Sequence, residues 1–304
     1  MRSFRLAFLA LACAGSVQAE TLRARPVADL NTRGVGAGSH PSEFAQLSGA
    51  VVFVATDEIG PGLWRTDGTE SGTVRLPDSC VAGCAGPSRL LWVEADRAFY
   101  RDHQGLGLWV SGGTAASTRV LSESLRVSEV RVGDGHGGVY FVARDAETGE
   151  EPWFTDATPE GTRRVIDLRP GPSGSAPSDL TFWNGALFFV ALEGPGGPAI
   201  WRAEPTGGVT VVLRGEDSDP GHTPRILGAT PSGLVLRTWT PDRGFELAIT
   251  GGTPATTRDL PQLAPGPESP AWYWWRGAAG RVVLGVQVPG QGDEIYSVDE
   301  AGSL

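Results

Sequence analysis

Short apolar runs recur along the chain, each bounded by glycine or polar residues: Val51-Val52-Phe53-Val54-Ala55, Ala98-Phe99-Tyr100, Val139-Tyr140-Phe141-Val142-Ala143, Leu187-Phe188-Phe189-Val190-Ala191, Leu234-Val235-Leu236 and Val282-Val283-Leu284. Their brevity and their β-branched or aromatic content predict buried strands. Most are preceded by a segment opened by proline, at Pro41, Pro87, Pro177, Pro224 and Pro270. Each is followed by a second phrase, and that phrase repeats. Leu63-Trp64-Arg65-Thr66-Asp67-Gly68-Thr69 returns as Leu108-Trp109-Val110-Ser111-Gly112-Gly113-Thr114, Pro152-Trp153-Phe154-Thr155-Asp156-Ala157-Thr158 and Ile200-Trp201-Arg202-Ala203-Glu204-Pro205-Thr206, then more weakly around Ala248 and Tyr296. A Gly/Thr turn and a fourth apolar piece, such as Val209-Thr210-Val211-Val212-Leu213, follow.

The anchors Trp64, Trp109, Trp153, Trp201, Ala248 and Tyr296 stand 45, 44, 48, 47 and 48 residues apart. Four short antiparallel strands per unit of that length predict a propeller blade, and six anchors predict an all-β, six-bladed β-propeller over residues 20–304. The chain shows no heptad or sustained 3.6-residue period, which argues against a helical solenoid. Pro26-Val27-Ala28-Asp29-Leu30 is similar to Val165-Ile166-Asp167-Leu168, whereas the last unit reaches Leu304 where its fourth strand is due. The expectation is that residues 26–30 pair with residues 294–298 and close the ring, removing two sheet edges.

Residues 62–73, Gly-Leu-Trp-Arg-Thr-Asp-Gly-Thr-Glu-Ser-Gly-Thr, together with Ile166-Asp167-Leu168-Arg169-Pro170-Gly171 and Asn184-Gly185-Ala186-Leu187-Phe188-Phe189, resemble the ELWxxDGT repeat family, also labelled hyalin-like. The likeness runs through the chain beyond residue 20, strongest in units one, three and four. It implies an exported bacterial β-propeller and no established activity. Ala248 and Tyr296 depart from it by standing in the Trp slot.

Composition adds a compartment. Met1-Arg2-Ser3-Phe4-Arg5, the apolar stretch 6–14 and Val17-Gln18-Ala19 read as a signal peptide cleaved after Ala19, giving a secreted or periplasmic chain. The apolar stretch is too short to span a bilayer, and a lipoprotein reading through Cys13 is disfavoured by Ala10. Losing Arg2 and Arg5 takes the 25 basic residues to 23 against 35 acidic ones, a net charge of −12. Such a surface repels nucleic acid and anionic membrane. Every basic residue is arginine, so Schiff-base chemistry is excluded. Cys80 and Cys84, in an exported chain, are expected to form a small disulfide clip, since a metal site needs more ligands than the pair offers.

The repeated residues read as architecture. Trp at one slot in four units suits packing between sheets. Asp, Gly and Thr in the turn suit backbone capping, and a calcium role fails because the Asp67 slot holds Gly112 and Gly251. Glu216-Asp217-Ser218-Asp219 reads as an acidic turn rather than a calcium loop. Residues 143–153, centred on Asp145, Thr148, Gly149 and Trp153, overlap the tryptophan-docking motif of quinoprotein dehydrogenases, an overlap that the repeat itself generates. His40, His103, His136 and His222 fall in separate units, and His40 and His222 sit in matching slots beside Pro41 and Pro224. No nucleophile elbow is present. No catalytic residue, metal or cofactor is therefore assigned. Trp272-Tyr273-Trp274-Trp275 is the one run that the repeat does not demand, and it is the candidate ligand platform. The reading is a monomeric binding or scaffolding module for a protein or glycan. The alternative is a carbohydrate-active or quinone-dependent enzyme using carboxylates around the axis.

Overall fold

The structure, a computed structural model, describes residues 26–30, 38–77, 87–102, 107–217, 219–263, 271–278 and 280–304. These residues form six antiparallel sheets in chain order. Sheet 1 comprises Ser42–Leu47, Ala50–Thr56, Pro61–Thr66 and Val74–Arg75; sheet 2, Pro87–Glu94, Arg97–Asp102, Leu108–Ser111 and Arg119–Ser122. Sheet 3 comprises Arg126–Gly133, Val139–Asp145, Gly149–Thr155 and Arg163–Arg164; sheet 4, Ser178–Trp183, Ala186–Leu192, Pro198–Ala203 and Val209–Arg214. Sheet 5 comprises Arg225–Thr230, Gly233–Thr240, Gly244–Thr250 and Thr257–Asp259, and sheet 6 has three strands, Ala271–Ala278, Arg281–Val288 and Gly292–Val298. Among the described residues, helix is confined to short 3-10 turns, and no helix is long and apolar enough to cross a membrane.

The six anchors occupy one register. On the third strand of each sheet, Trp64, Trp109, Trp153, Trp201, Ala248 and Tyr296 stand opposite Phe53, Tyr100, Phe141, Phe189, Leu236 and Leu284 of the second. The register is thus kept where Ala248 and Tyr296 stand in place of tryptophan. Buried side chains pack each sheet against the next: Leu47 and Leu63 with Ala98 and Tyr100, Phe99 and Leu108 with Val139 and Phe141, Tyr140 with Phe189 and Trp201, Phe188 and Ile200 with Leu234 and Leu236, and Val235 and Leu247 with Val282 and Leu284. Each such Leu, Ile, Val or Phe side chain contributes about 1.5–3 kcal/mol by leaving water. Trp109, Trp153 and Trp201 lie at these junctions, facing the preceding sheet, and the indoles of Trp64 and Trp201 donate to the carbonyls of Ala55 and Ala191.

The hairpin after each anchor carries the Asp-Gly-Thr phrase, and its geometry explains why the phrase varies. In sheets 1 and 3, Asp67 and Asp156 accept from the N–H and hydroxyl of Thr69 and Thr158. In sheets 2 and 5, where glycine replaces the acid, Ser117 and Thr256 five residues on take over, accepting from the N–H of Thr114 and Thr253. The exchange is steric as well as polar. A Cβ on Gly72 or Gly161 would lie 2.0 or 2.1 Å from the Asp67 or Asp156 carboxylate, so the acid and the later hydroxyl compete for one space. In all four hairpins a further hydroxyl pair closes the turn, Thr66 with Thr73, Ser111 with Thr118, Thr155 with Thr162 and Thr250 with Thr257, at 2.7–2.8 Å.

The expected pairing of residues 26–30 with residues 294–298 is not formed. Residues 26–30 adopt no strand, and Leu30 packs on Phe53, Ala55 and Trp64 of sheet 1. The reason is that they match a connection between sheets: Leu168, between sheets 3 and 4, packs in the same way with Phe189, Ala191 and Trp201.

Candidate functional site

The largest departure from the repeat is Ala248, and a cleft of about 210 Å³ opens beside it. In sheet 4 the indole of Trp201 fills this slot. In sheet 5 the short Ala248 side chain leaves it to the outer edges of sheets 4 and 5. The walls are the strand end and connection Leu213-Arg214-Gly215-Glu216, the linker through His222 and Pro224, Thr238, Trp239 and Thr240 of the second strand, Arg243 of the hairpin, and Thr257 and Asp259 of the fourth strand.

His222 and Trp239 form the aromatic wall. Their rings stack with centroids 3.5 Å apart and planes at 6°, and Phe245 meets the imidazole edge-on at 6.2 Å. A 3-10 turn, Pro220–His222, presents the histidine, and its Nδ1 lies 2.9 Å from Asp217 Oδ2. The hydrogen bond from His222 holds the Asp217 carboxyl below its ordinary range. Asp217 and Asp219 use their other contacts on the N–H groups of Asp219 and Gly221, as in a capped turn.

Charges of both signs ring the opening. Arg243 pairs with Asp259 at 2.8 Å, and Arg214 pairs with Glu193. The Arg243 pair reverses a clamp found in other sheets. In sheets 1 and 3 the residue opposite the anchor on the fourth strand is an arginine, Arg75 or Arg164, bound to Asp57 or Asp145 of the hairpin before the anchor. In sheet 5 the acid, Asp259, is opposite the anchor and the arginine is on the hairpin. The reversal turns a carboxylate towards the slot that Ala248 vacates. Deeper in, Thr240 Oγ is buried without a hydrogen-bond partner among the described residues.

No family model matches the sequence. No curated protein matches it either. Among solved structures, likenesses are found to a prolyl endopeptidase (12% identity over 88% of this chain and 42% of that one, TM-score 0.49), to a chain of a nidogen/laminin complex (16%, 70% and 74%, TM-score 0.34) and to a puromycin hydrolase (18%, 88% and 44%, TM-score 0.45). The chain thus spans less than half the length of the prolyl endopeptidase and the puromycin hydrolase. At these TM-scores none of them bears on its activity.

The residues singled out from the sequence are dispersed. Trp272, Tyr273, Trp274 and Trp275 lie on the first strand of sheet 6. The side chains of the first three are outside the described residues. Trp275 is partly buried against the core between sheets 5 and 6, with the Arg225 guanidinium 5.3 Å from its ring. Cys80 and Cys84 also fall outside the described residues, as does His103. His40 and His222 do not share a slot: His40 immediately precedes Pro41, whereas His222 stands two residues before Pro224. Of the buried carboxylates, Glu151 accepts from the N–H and hydroxyl of Ser175, and Glu246 accepts from Gln262. Both serve packing. The loss of Trp at anchor five was visible in the sequence, but the cleft that it opens was not.

Proposed function

We propose that the protein is an exported six-bladed β-propeller that binds glycans, with the cleft between sheets 4 and 5 as the seat for one sugar ring. The observation that carries this reading is Ala248 in the place of an anchor tryptophan, beside a stacked His222–Trp239 wall. The cleft is small for a drug-sized ligand and of the size of one sugar residue. An aromatic wall suits the apolar face of a pyranose. Asp259, Glu216, Arg214, Arg243 and Thr238 offer donors and acceptors of both charges, which suits a neutral polyol better than an anion or a cation. The acidic surface and the predicted leader peptide are consistent with a role outside the cytoplasm.

A glycan array followed by calorimetric titration tests the reading. The chain beginning at Glu20 should bind a defined set of terminal sugars. Trp239→Ala should weaken binding at least tenfold, and Ala248→Trp, which restores the anchor, should abolish it while the protein stays folded. Equal binding by Ala248→Trp and the native chain would reject the cleft as the site.

A further inference from the structure

The linker from sheet 4 to sheet 5 leaves the last strand of sheet 4 at Gly215 and enters sheet 5 through His222-Thr223-Pro224. Both of its ends close on one point, Pro198, where the third strand of sheet 4 begins. Gly215 N–H donates to the Pro198 carbonyl at 2.8 Å. A Cβ built on Gly215 would lie 3.1 Å from that carbonyl oxygen, 3.3 Å from Pro198 Cγ and 3.4 Å from Pro224 Cδ. A side chain at position 215 would therefore press on backbone, and glycine lets the linker lie against sheet 4 as a partition one residue thick.

The cleft beside Ala248 is on one side of this partition, with Gly215, His222 and Pro224 in its wall. A second cavity, of about 270 Å³, is on the other. Pro198 and Thr223 line it, and Ser178, Val190 and Leu192 of the first two strands of sheet 4 complete it. His222 and Pro224 thus serve the first space and Thr223, between them, the second, as alternate side chains of an extended segment do.

The two spaces differ in chemistry. The first has aromatic rings and charges of both signs. The second has no charged or aromatic residue in its lining, which is aliphatic apart from the hydroxyls of Ser178 and Thr223. A carboxylate or an ammonium group would lose its hydration there with no counter-charge to replace it. A bare sugar ring would turn several hydroxyls onto aliphatic walls. An acetamido group fits better: its methyl suits Val190, Leu192 and Pro198, and its N–H and C=O suit hydroxyls that can both accept and donate.

We propose that this second cavity takes the acetamido group of an N-acetylated sugar residue linked to the residue held in the cleft. This rests on the glycan reading of the cleft and extends it from one sugar to two. The rim between the two spaces is the partly exposed Gly215, so no side chain stands between two linked residues.

Calorimetry with three ligands tests this: the best array sugar as its methyl glycoside, and the same sugar linked to N-acetylglucosamine or to glucose. The native chain should bind the N-acetylglucosamine disaccharide about tenfold more tightly than the methyl glycoside, and the glucose disaccharide less than about threefold more tightly. Leu192→Trp, which fills the cavity from the strand end, should cut the tenfold gain to less than about twofold. Ser178→Ala removes one hydroxyl without adding bulk, should lower the gain about threefold, and keeps the test decisive if the larger variant fails to fold. Equal gains from the two disaccharides, or a full gain kept by the folded variants, would overturn the second subsite and leave the cleft standing. Disaccharide binding that survives Ala248→Trp, or no binding of any of the three ligands, would overturn the cleft reading and the second subsite with it.

Discussion

Exchanging the turn chemistry of sheet 3 for that of sheets 2 and 5 tests how the repeat tolerates loss of its acid. Asp156 Oδ1 accepts from Thr158 N–H at 2.8 Å and from its hydroxyl at 2.6 Å. Asp156→Gly removes both bonds, a loss of about 1–2 kcal/mol for a charged acceptor at the surface. Gly161→Ser forces the carboxylate out, since its Cβ would lie 2.1 Å from Asp156 Oδ1, so it costs at least as much. Taken independently, the two changes would cost about 2–4 kcal/mol together. Yet Ser117 at the equivalent place in sheet 2 accepts from the N–H groups of Gly112 and Thr114 at 3.1 Å. The double variant should rebuild that turn and lose less than about 1 kcal/mol, a coupling on the order of 2 kcal/mol. Urea denaturation of the four proteins, with equal m-values as a check, measures it. A double variant whose loss equals the sum of the single losses would refute the idea that acid and hydroxyl are alternatives for one space.

Other outcomes follow from the same contacts. Arg75→Ala should cost about 1–3 kcal/mol, because it leaves the largely buried Asp57 with only the Ile59 and Gly60 N–H groups as donors and removes the arginine donor to the Pro61 carbonyl, whereas Arg243→Ala in the exposed, reversed clamp should cost far less; denaturation of both variants compares them. Ala95→Asn should stabilise by about 0.5–1 kcal/mol, since Ala95 (φ 45°) and Asp96 (φ 60°) form a tight turn that asparagine enters more readily; a rise in Tm checks it. Burial pushes the Glu151 carboxyl up against the opposing bonds from Ser175 and Leu168, so folding is favoured by its neutral form: that stability is full below the unfolded pKa and is lost as pH rises through the folded one. The hydrogen bond from the Thr158 hydroxyl lowers Asp156, which reverses the window, with stability present above the unfolded pKa and lost as pH falls through the folded value. Denaturation across pH should therefore show a rise-with-pH component missing from the Asp156→Gly/Gly161→Ser variant and a fall-with-pH component missing from Glu151→Gln.

Strands, register and anchors were legible because burial imposes a period that survives substitution: Ala248 and Tyr296 keep their place opposite Leu236 and Leu284 although neither is tryptophan. The structural role of the Asp-Gly-Thr phrase was legible too, but its exchange partner was not, since Ser117 and Thr256 become comparable to Asp67 only when the turn is folded. The strand expected at residues 26–30 was misplaced because the similarity to residues 165–168 marks a connection. The cleft escaped notice because a missing side chain leaves no motif. Ala248 looked like a faded repeat, and its meaning appears only when Trp239, His222 and Asp259, distant in sequence, converge on the space it leaves.

The indole N–H spectrum of the protein, followed as the best array sugar is added, tests the central claim most directly. The account predicts that the Trp239 resonance, assigned through Trp239→Phe, shifts with saturation while those of Trp64 and Trp201, locked to the Ala55 and Ala191 carbonyls, stay in place. Saturable shifts at other tryptophans with Trp239 unmoved would contradict it.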